Sequence, residues 1–557
     1  MSSTSAILPA SLAALPAGHL LVPLAASLLI YSVYYVYNIG ARARNMPPGP
    51  PTVPIIGNLN VFPKSHLHMK FTEWSKIYGD VISLKVFNNT VIVLNTPTAV
   101  KELIDKRSIA TSNRPKSILA DMITPHNLNI GTGHYANETW KVLRKASTQL
   151  LSNENIRSLQ PYQHAEATQL MWDFSRDPEN WYTHIQRFTT SFALGITYGK
   201  RAPRVESKDV KAFLHVQPQF LHALEFGTMP PVDLFPILTY VPERFAHWKR
   251  VVKTVKALHE EMYEDLLSTV ERRLEKGQAA NVFMEDAVIK AQEWGLTRRE
   301  LLTNLGGVLL EGSDTSSATL QGVVLALVAF PEAQKKCREE IDRVVGSDRA
   351  PTHDDFPNLP YTAAFIEEVN RFRPVSPLGL PHEMVKDEIV DGVLYPKDAV
   401  LFINTWAIFH DERYYDRPHE FIPERFLKHP LGIKDESTDD PARRQNMLFG
   451  GGRRVCPGIA FAKTSLEINV PNFIWAFEFS PEIDAATGKP IPPNINNFAS
   501  GITATPGRFK CTIKPRSQNH LDVIERQFAK AAEFLTPYEL ELSPEDRAYN
   551  AKYRDSY

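Results

Sequence analysis

The sequence predicts a mainly helical α+β protein preceded by one N-terminal transmembrane helix. Three observations predict it: segments of helical periodicity dominate the chain, short β-branched runs occur at only a few places, and no Asp, Glu, Lys or Arg precedes Arg42. The 557 residues, 43% hydrophobic and 22% charged, are ample for a core without staples and exclude global disorder. With 62 Lys+Arg against 63 Asp+Glu the formal net charge is -1, which argues against a nucleic-acid binder, since those carry a basic excess or stripe. Three cysteines cannot build a disulfide framework, so any special one is a ligand or a nucleophile.

The elements follow in order. Leu20 to Tyr37 reads LLVPLAASLLIYSVYYVY; as a helix it spans about 27 Å, close to the apolar thickness of a bilayer. Tyr31, Tyr34, Tyr35 and Tyr37 stand at its C-terminal end, where an aromatic belt belongs, and Arg42 and Arg44 follow, so the positive-inside rule predicts a cytoplasmic body. A cleaved signal peptide is the rival, but its basic n-region is absent. The prolines between Pro47 and Pro54 predict a stiff extended strap. Val81 to Val86 and Val91 to Asn95 read as two strands of a hairpin. Helices are predicted near 138–150, 158–177, 243–275, 297–330, 332–345, 359–372 and 457–478, with short strands near 398–403 and 509–515. The 297–330 segment is apolar on nearly every face, the pattern of a central buried helix. Helices with small sheets make an α+β class rather than a wound parallel sheet.

Phe449-Gly450-Gly451-Gly452-Arg453-Arg454-Val455-Cys456-Pro457-Gly458 is the most informative stretch. Its glycines let backbone approach something flat or bulky. Arg454 can neutralise an anion, and Cys456 stands at the mouth of a helix, where the helix terminus and neighbouring arginines are expected to favour thiolate. Cys337 and Cys511 read as structural. A glycine run alone would be a surface turn. A phosphate loop is disfavoured because no Gly-Lys-Ser/Thr follows, and no local signature supports a cysteine hydrolase.

The full pattern Phe-x-x-Gly-x-Arg-x-Cys-x-Gly, at Phe449, Gly452, Arg454, Cys456 and Gly458, resembles the haem-thiolate signature of the cytochrome P-450 monooxygenases. The resemblance implies heme b (iron-protoporphyrin IX) with Cys456 as axial iron ligand, whose thiolate pushes electron density toward iron. It divides the chain into a membrane anchor and basic flank over 1–44, a haem-thiolate monooxygenase domain over 45–516 and a charged C-terminal tail over 517–557.

Further motifs lie in the family's order. Glu368 and Arg371 are i, i+3 on one helix; alone such a pair is usually a solvated bridge worth under about 1 kcal/mol. The resemblance makes it a buried clamp joined by Arg425. Trp140 and Arg144, i and i+4 on a helix, would otherwise be a core Trp on an amphipathic face; the resemblance implies that both donate to a haem propionate, with His382 and Arg454 as further propionate partners. Gly312-Ser313-Asp314-Thr315 carries an acid and an alcohol inside an apolar helix. Its bland reading is a Thr hydroxyl bonded back to a carbonyl four residues earlier. The family reading is the acid–alcohol pair beside dioxygen, Thr315 holding the hydrogen-bond network and Asp314 relaying protons. Glu311 stands where the family has Ala or Gly. It either enters the pocket, supplementing Asp314 or binding a polar group of the substrate, or turns sideways to pair with a basic residue.

The implied reaction inserts one atom of dioxygen into a lipophilic small molecule, with electrons from NADPH through a separate NADPH-cytochrome reductase. Lys141, Lys145, Arg443, Arg444 and Arg453 are candidates for a basic face that steers it. The chain looks like the fungal microsomal branch, similar to O-methylsterigmatocystin oxidoreductase-like enzymes. That implies endoplasmic reticulum membrane, surrounding lipid, and secondary metabolism with a terpenoid or polyketide substrate. Ile118, Leu119, Ile123, Val375, Leu378 and Phe498 are the expected substrate contacts. A haem-thiolate isomerase or dehydratase, a xenobiotic-detoxifying monooxygenase and a non-catalytic haem protein are the alternatives; an intact Asp314-Thr315 pair argues against those that need no oxygen activation.

Overall fold

The computed structural model describes residues 17–225, 227–434 and 442–554. Helices form most of it, and three small sheets sit at its edges. The helix Glu138–Leu150 has the predicted bounds, with the Asn137 side chain accepting from the Thr139 amide as its N-cap. Helices Gln160–Arg176 and Trp181–Tyr198, with Arg299–Glu311, Ser313–Ala329 and Ile459–Ala476, enclose one continuous apolar core. The helix Trp181–Tyr198 escapes a reading by propensity because β-branched and aromatic residues crowd it; it forms because nearly all of it is buried.

The four-stranded sheet has the order Val81–Val86, Asn89–Leu94, Val400–Ile403, His382–Glu383. Its first pair is the predicted hairpin, Val81 opposite Leu94, turned by Phe87 and Asn88 with Phe87 at φ 52°. The third strand joins in parallel, and His382 pairs antiparallel with Leu401. The proline strap is fastened to this sheet. Arg42 donates to the carbonyls of Gly49, Pro50 and Ser83 at 2.8–2.9 Å, so its charge is folded back onto the body.

The predicted central helix is present over Arg299–Ala329, with one irregular position at Gly312, whose φ of -58° and ψ of -19° stay in the helical region between Arg299–Glu311 and Ser313–Ala329. Glycine is the weakest helix former after proline, and the Thr315 hydroxyl competes for the Gly312 carbonyl at 3.3 Å.

Residues 517–557 also differ from a mere charged tail. Helix Gln518–Leu535 lays Val523, Ile524, Phe528 and Leu535 against helix Gln160–Arg176, where Trp172 and Phe528 stack at 4.7 Å. Arg201 pairs with Glu539 at 2.7 Å and Arg204 with Asp546 at 2.6 Å, which fastens the following segment and the helix Pro544–Arg554.

Residues 1–16 of the predicted anchor lie outside the described residues. From Ala17 to Asn38 the chain is helical, and Leu28, Leu29, Ile30 and Tyr34 are more than half exposed. Among the described residues no single helix is long and apolar enough to cross a membrane.

Candidate active site

The cysteine loop is shaped by backbone needs. Gly450 and Gly452 take φ of 77° and 57°, and a Cβ on Gly452 would lie 2.4 Å from the Ile104 carbonyl oxygen, so only glycine fits there. The Gly452 amide donates to Asp105 at 2.8 Å, and the Cys456 amide donates to the Phe449 carbonyl at 3.0 Å, closing the loop on itself. Gly458 precedes the helix Ile459–Ala476, and its amide points at Cys456 Sγ from 3.4 Å.

Cys456 is ringed by protein, yet part of its surface remains accessible. Burial pushes its thiol up, against the smaller opposing pulls of the Gly458 amide and Arg144. The expected thiolate therefore does not come from the helix terminus and arginines; coordination to a metal, which deprotonates a thiol outright, is what fits this position. Burial raises the other two thiols as well, Cys511 to about 12, in keeping with structural roles.

Three guanidiniums converge beside the loop. Arg454 donates to the carbonyls of Ser112, Ile130 and Gly133 and lies 4.0 Å from the Trp140 ring centroid. Arg144 donates to the Val455 carbonyl. The third is Arg114, which donates to the carbonyls of Gly131, Leu380 and Pro381. Among the described residues no carboxylate forms an ion pair with any of them. Burial, then mutual repulsion, drops Arg114 to about 9 and Arg454 to about 8. Buried cations without counter-charge call for an anion, and two propionate carboxylates answer that need. The residues present fit a haem.

Arg114 was missed in the sequence because Asn113-Arg114-Pro115 is an extended stretch with no periodicity; only the fold brings it to Arg454. Trp140 is placed as expected, but its indole donates to the Ile130 carbonyl at 3.0 Å rather than being free. His382 needs correcting as a basic partner. Its Nδ1 is tied to the Thr111 carbonyl at 2.8 Å, and burial, with Arg114 and Arg454 nearby, drops its pKa to about 3. Both effects disfavour its charged form.

One cavity has Thr315, Ser316 and Thr319 on one wall and Leu448, Phe449 and Ala462 on another. Thr315 bonds back three residues, to Gly312, rather than four. Asp314 accepts a hydrogen bond from Thr503, and burial raises its carboxyl to about 6. Glu311 takes hydrogen bonds from Tyr263 at 2.9 Å and Asn129 at 3.2 Å, so its partners are neutral and the basic-residue reading fails. Of the expected substrate contacts, Val375 lines the cavity. Leu119 and Ile123 turn into the core, Leu378 packs beneath the four-stranded sheet, and Phe498 sits by Arg373 in a separate small pocket. Ile118 is half-buried at the rim of the core.

The Glu368 clamp is as read from the sequence. Arg371 holds both its oxygens at 2.7–2.8 Å, Arg425 adds a contact at 3.1 Å, and all three are buried. The expected basic face is smaller. Arg443 is buried against Tyr414 and Tyr415, Arg444 pairs with Asp105, and Lys141 pairs with Glu138 at 2.7 Å. Lys145 and Arg453 remain exposed.

The family described as cytochrome P450 matches residues 47–511. A cytochrome P450 monooxygenase of Armillaria gallica is 40% identical over 513 residues, 92% of this chain and 97% of its own length. The monooxygenase yanC of Aspergillus niger is 34% identical over 93% of this chain and 99% of its own. A zebrafish cytochrome P450 structure with abiraterone superposes with a TM-score of 0.64 at 23% identity, over 81% of this chain and all of that one, a likeness of fold. The chain belongs to the cytochrome P450 family. It is a monooxygenase of haem-thiolate type, and Cys456 is the cysteine that supplies the axial ligand.

Proposed function

We propose that this enzyme hydroxylates, or oxidises in a related way, a lipophilic small molecule of fungal secondary metabolism, a terpenoid or polyketide. The observation that carries the reading is an intact Asp314-Thr315 pair, with Thr315 across one cavity from the cysteine loop. The bound haem supplies activation of dioxygen and transfer of one oxygen atom. The reaction consumes substrate, dioxygen, NADPH and a proton and yields oxidised substrate, water and NADP⁺. Cys456 would hold the iron, Arg114, Arg144 and Arg454 would supply the positive charge that holds the propionates, and Trp140 braces Arg454 by stacking. The Thr315 hydroxyl positions a proton beside dioxygen, and Asp314, with a carboxyl near 6, takes and gives protons near neutral pH.

The electrons come from a separate NADPH-cytochrome reductase, docking where Lys145 and Arg453 are exposed. A single-pass anchor in the endoplasmic reticulum membrane with the body cytoplasmic is our reading of the N-terminal stretch, where the apolar side chains between Val22 and Tyr37 are exposed and Arg42 and Arg44 follow. Asn88, in the exposed hairpin turn, begins an Asn-x-Thr sequon and stays unmodified in that orientation; an endoglycosidase-sensitive mass shift reverses it.

The test is reconstitution with a fungal reductase and pathway extracts under ¹⁸O₂. One labelled atom per product molecule, dependent on NADPH, supports the reading. A product formed without dioxygen favours the isomerase or dehydratase.

A further inference from the structure

The irregular position in the central helix adjoins its unusual residue. Glu311 ends the helix Arg299–Glu311, and its carboxyl meets two other elements. Tyr263, on the helix His247–Glu275, donates to Oε1 at 2.9 Å; Asn129, in the loop before Glu138–Leu150, donates to Oε2 at 3.2 Å. Both supports are themselves fixed. Tyr263 is buried and stacks on His259 at 5.0 Å, while Asn129 Oδ1 accepts from the Gly131 and Thr132 amides. The titratable groups facing Glu311 are Tyr263 and Tyr198, with no cation among them.

Spare capacity remains at this carboxyl. A carboxylate offers about four acceptor sites, and the protein uses two. Nearby, the Tyr198 hydroxyl is fully buried and has no partner. Glu311 is only half-buried, Gly312 beside it is exposed, and Thr315, one turn on along the same face, lines the cavity. Burial holds the Glu311 carboxyl at about 7, so near neutral pH it both accepts and donates.

We propose that Glu311, held by Tyr263 and Asn129, is a polar subsite that binds a hydroxyl group of the otherwise lipophilic substrate and so sets which carbon faces the haem. This rests on the monooxygenase reading above. A hydroxyl suits both protonation states, donating to the carboxylate or accepting from the acid. An ammonium group would pair with the ionised form alone and would bring a second charge out of water, whereas a hydroxyl needs neither.

The experiment uses the full-length holoenzyme and follows the optical shift of the haem on titration. The probes are adamantane, 1-adamantanol and 1-adamantylamine, with decalin and decalin alcohols as a second skeleton. Wild type is expected to bind the alcohol about tenfold or more tightly than the hydrocarbon on at least one skeleton, the discrimination of one good hydrogen bond. Glu311→Ala abolishes that preference, and Tyr263→Phe weakens it by loosening the carboxyl. Glu311→Gln, which keeps shape and an acceptor, retains part of it and serves if the alanine variant loads no haem. An alcohol preference equal in wild type and in the variants overturns the proposal, as does an absent preference in wild type. Tighter binding of the amine, rising as pH passes 7, overturns the hydroxyl assignment. The reduced carbon monoxide spectrum of each protein separates this from failure of the underlying reading, in which wild type itself shows no thiolate band.

Discussion

The Arg454 guanidinium lies 4.0 Å from the centroid of the Trp140 ring, joining the cysteine loop to the helix Glu138–Leu150. The contact holds a buried cation that no carboxylate among the described residues neutralises. Its expected consequence is that Arg454→Ala reduces haem occupancy at unchanged protein yield, while Trp140→Phe, which keeps a ring but loses the bond to Ile130, reduces it less. Haem-to-protein absorbance ratios measure both. Full occupancy in Arg454→Ala would contradict the role.

Arg114 predicts the same behaviour from a position without a motif. Arg114→Ala is expected to weaken haem retention, and Arg114→Lys to restore charge without the three carbonyl bonds and so rescue only in part. Rates of haem transfer to an apoglobin scavenger give the order wild type slowest, Lys next, Ala fastest.

Glu368 is fully buried under two guanidiniums. Glu368→Gln leaves Arg371 and Arg425 uncompensated, a loss of about 3–5 kcal/mol. The variant should express mostly as insoluble apoprotein. A soluble variant with unchanged melting temperature would show that the clamp contributes little.

The C-terminal segment predicts dependence rather than tolerance. A chain ending at residue 516 exposes the surface under Ile524, Phe528 and Leu535 and strips Glu539 from Arg201, both buried. It is expected to lose soluble haem protein, and the milder Ile524→Ala to lose about 2–5 kcal/mol in denaturant titration. A truncated protein with wild-type stability would return this segment to the status of a tail.

What was legible in the sequence was local. The helix Glu138–Leu150 has the bounds read from the sequence, and the cysteine loop announces itself by glycines whose positive φ the fold requires. Glu368 and Arg371 share a helix face, so their pairing followed from spacing. What failed depended on the surroundings. Nothing in Pro381-His382 shows that burial, with two guanidiniums nearby, will disfavour a charge on His382. Arg443 looked like surface charge, yet it packs over Tyr414 and Tyr415. The depressed thiol expected at Cys456 reversed because desolvation outweighs one amide and one arginine.

Asp314 gives a pH dependence. Its carboxyl is raised from 3.8 to about 6 by burial, so the folded protein binds this proton more tightly than the unfolded chain. Stability from this group is therefore full below about pH 4, falls as pH rises toward about 6 and levels off above. Asp314→Asn cannot ionise, so its melting temperature should fall less than wild type's between about pH 4 and 6.5, while product formed per NADPH drops. An identical pH slope in the variant would remove Asp314 as the source.

The most direct test of the account is the carbon monoxide difference spectrum of the reduced protein in two variants. The Cys337→Ala, Cys511→Ala double variant should keep the thiolate-type band, because Cys337 belongs to the helix Pro331–Val344 and Cys511 to the strand Cys511–Pro515, not to the loop that Gly450 and Gly452 shape. Cys456→Ala should lose it. Survival of the band in Cys456→Ala, or its loss in the double variant, would contradict the assignment of Cys456 as the iron ligand.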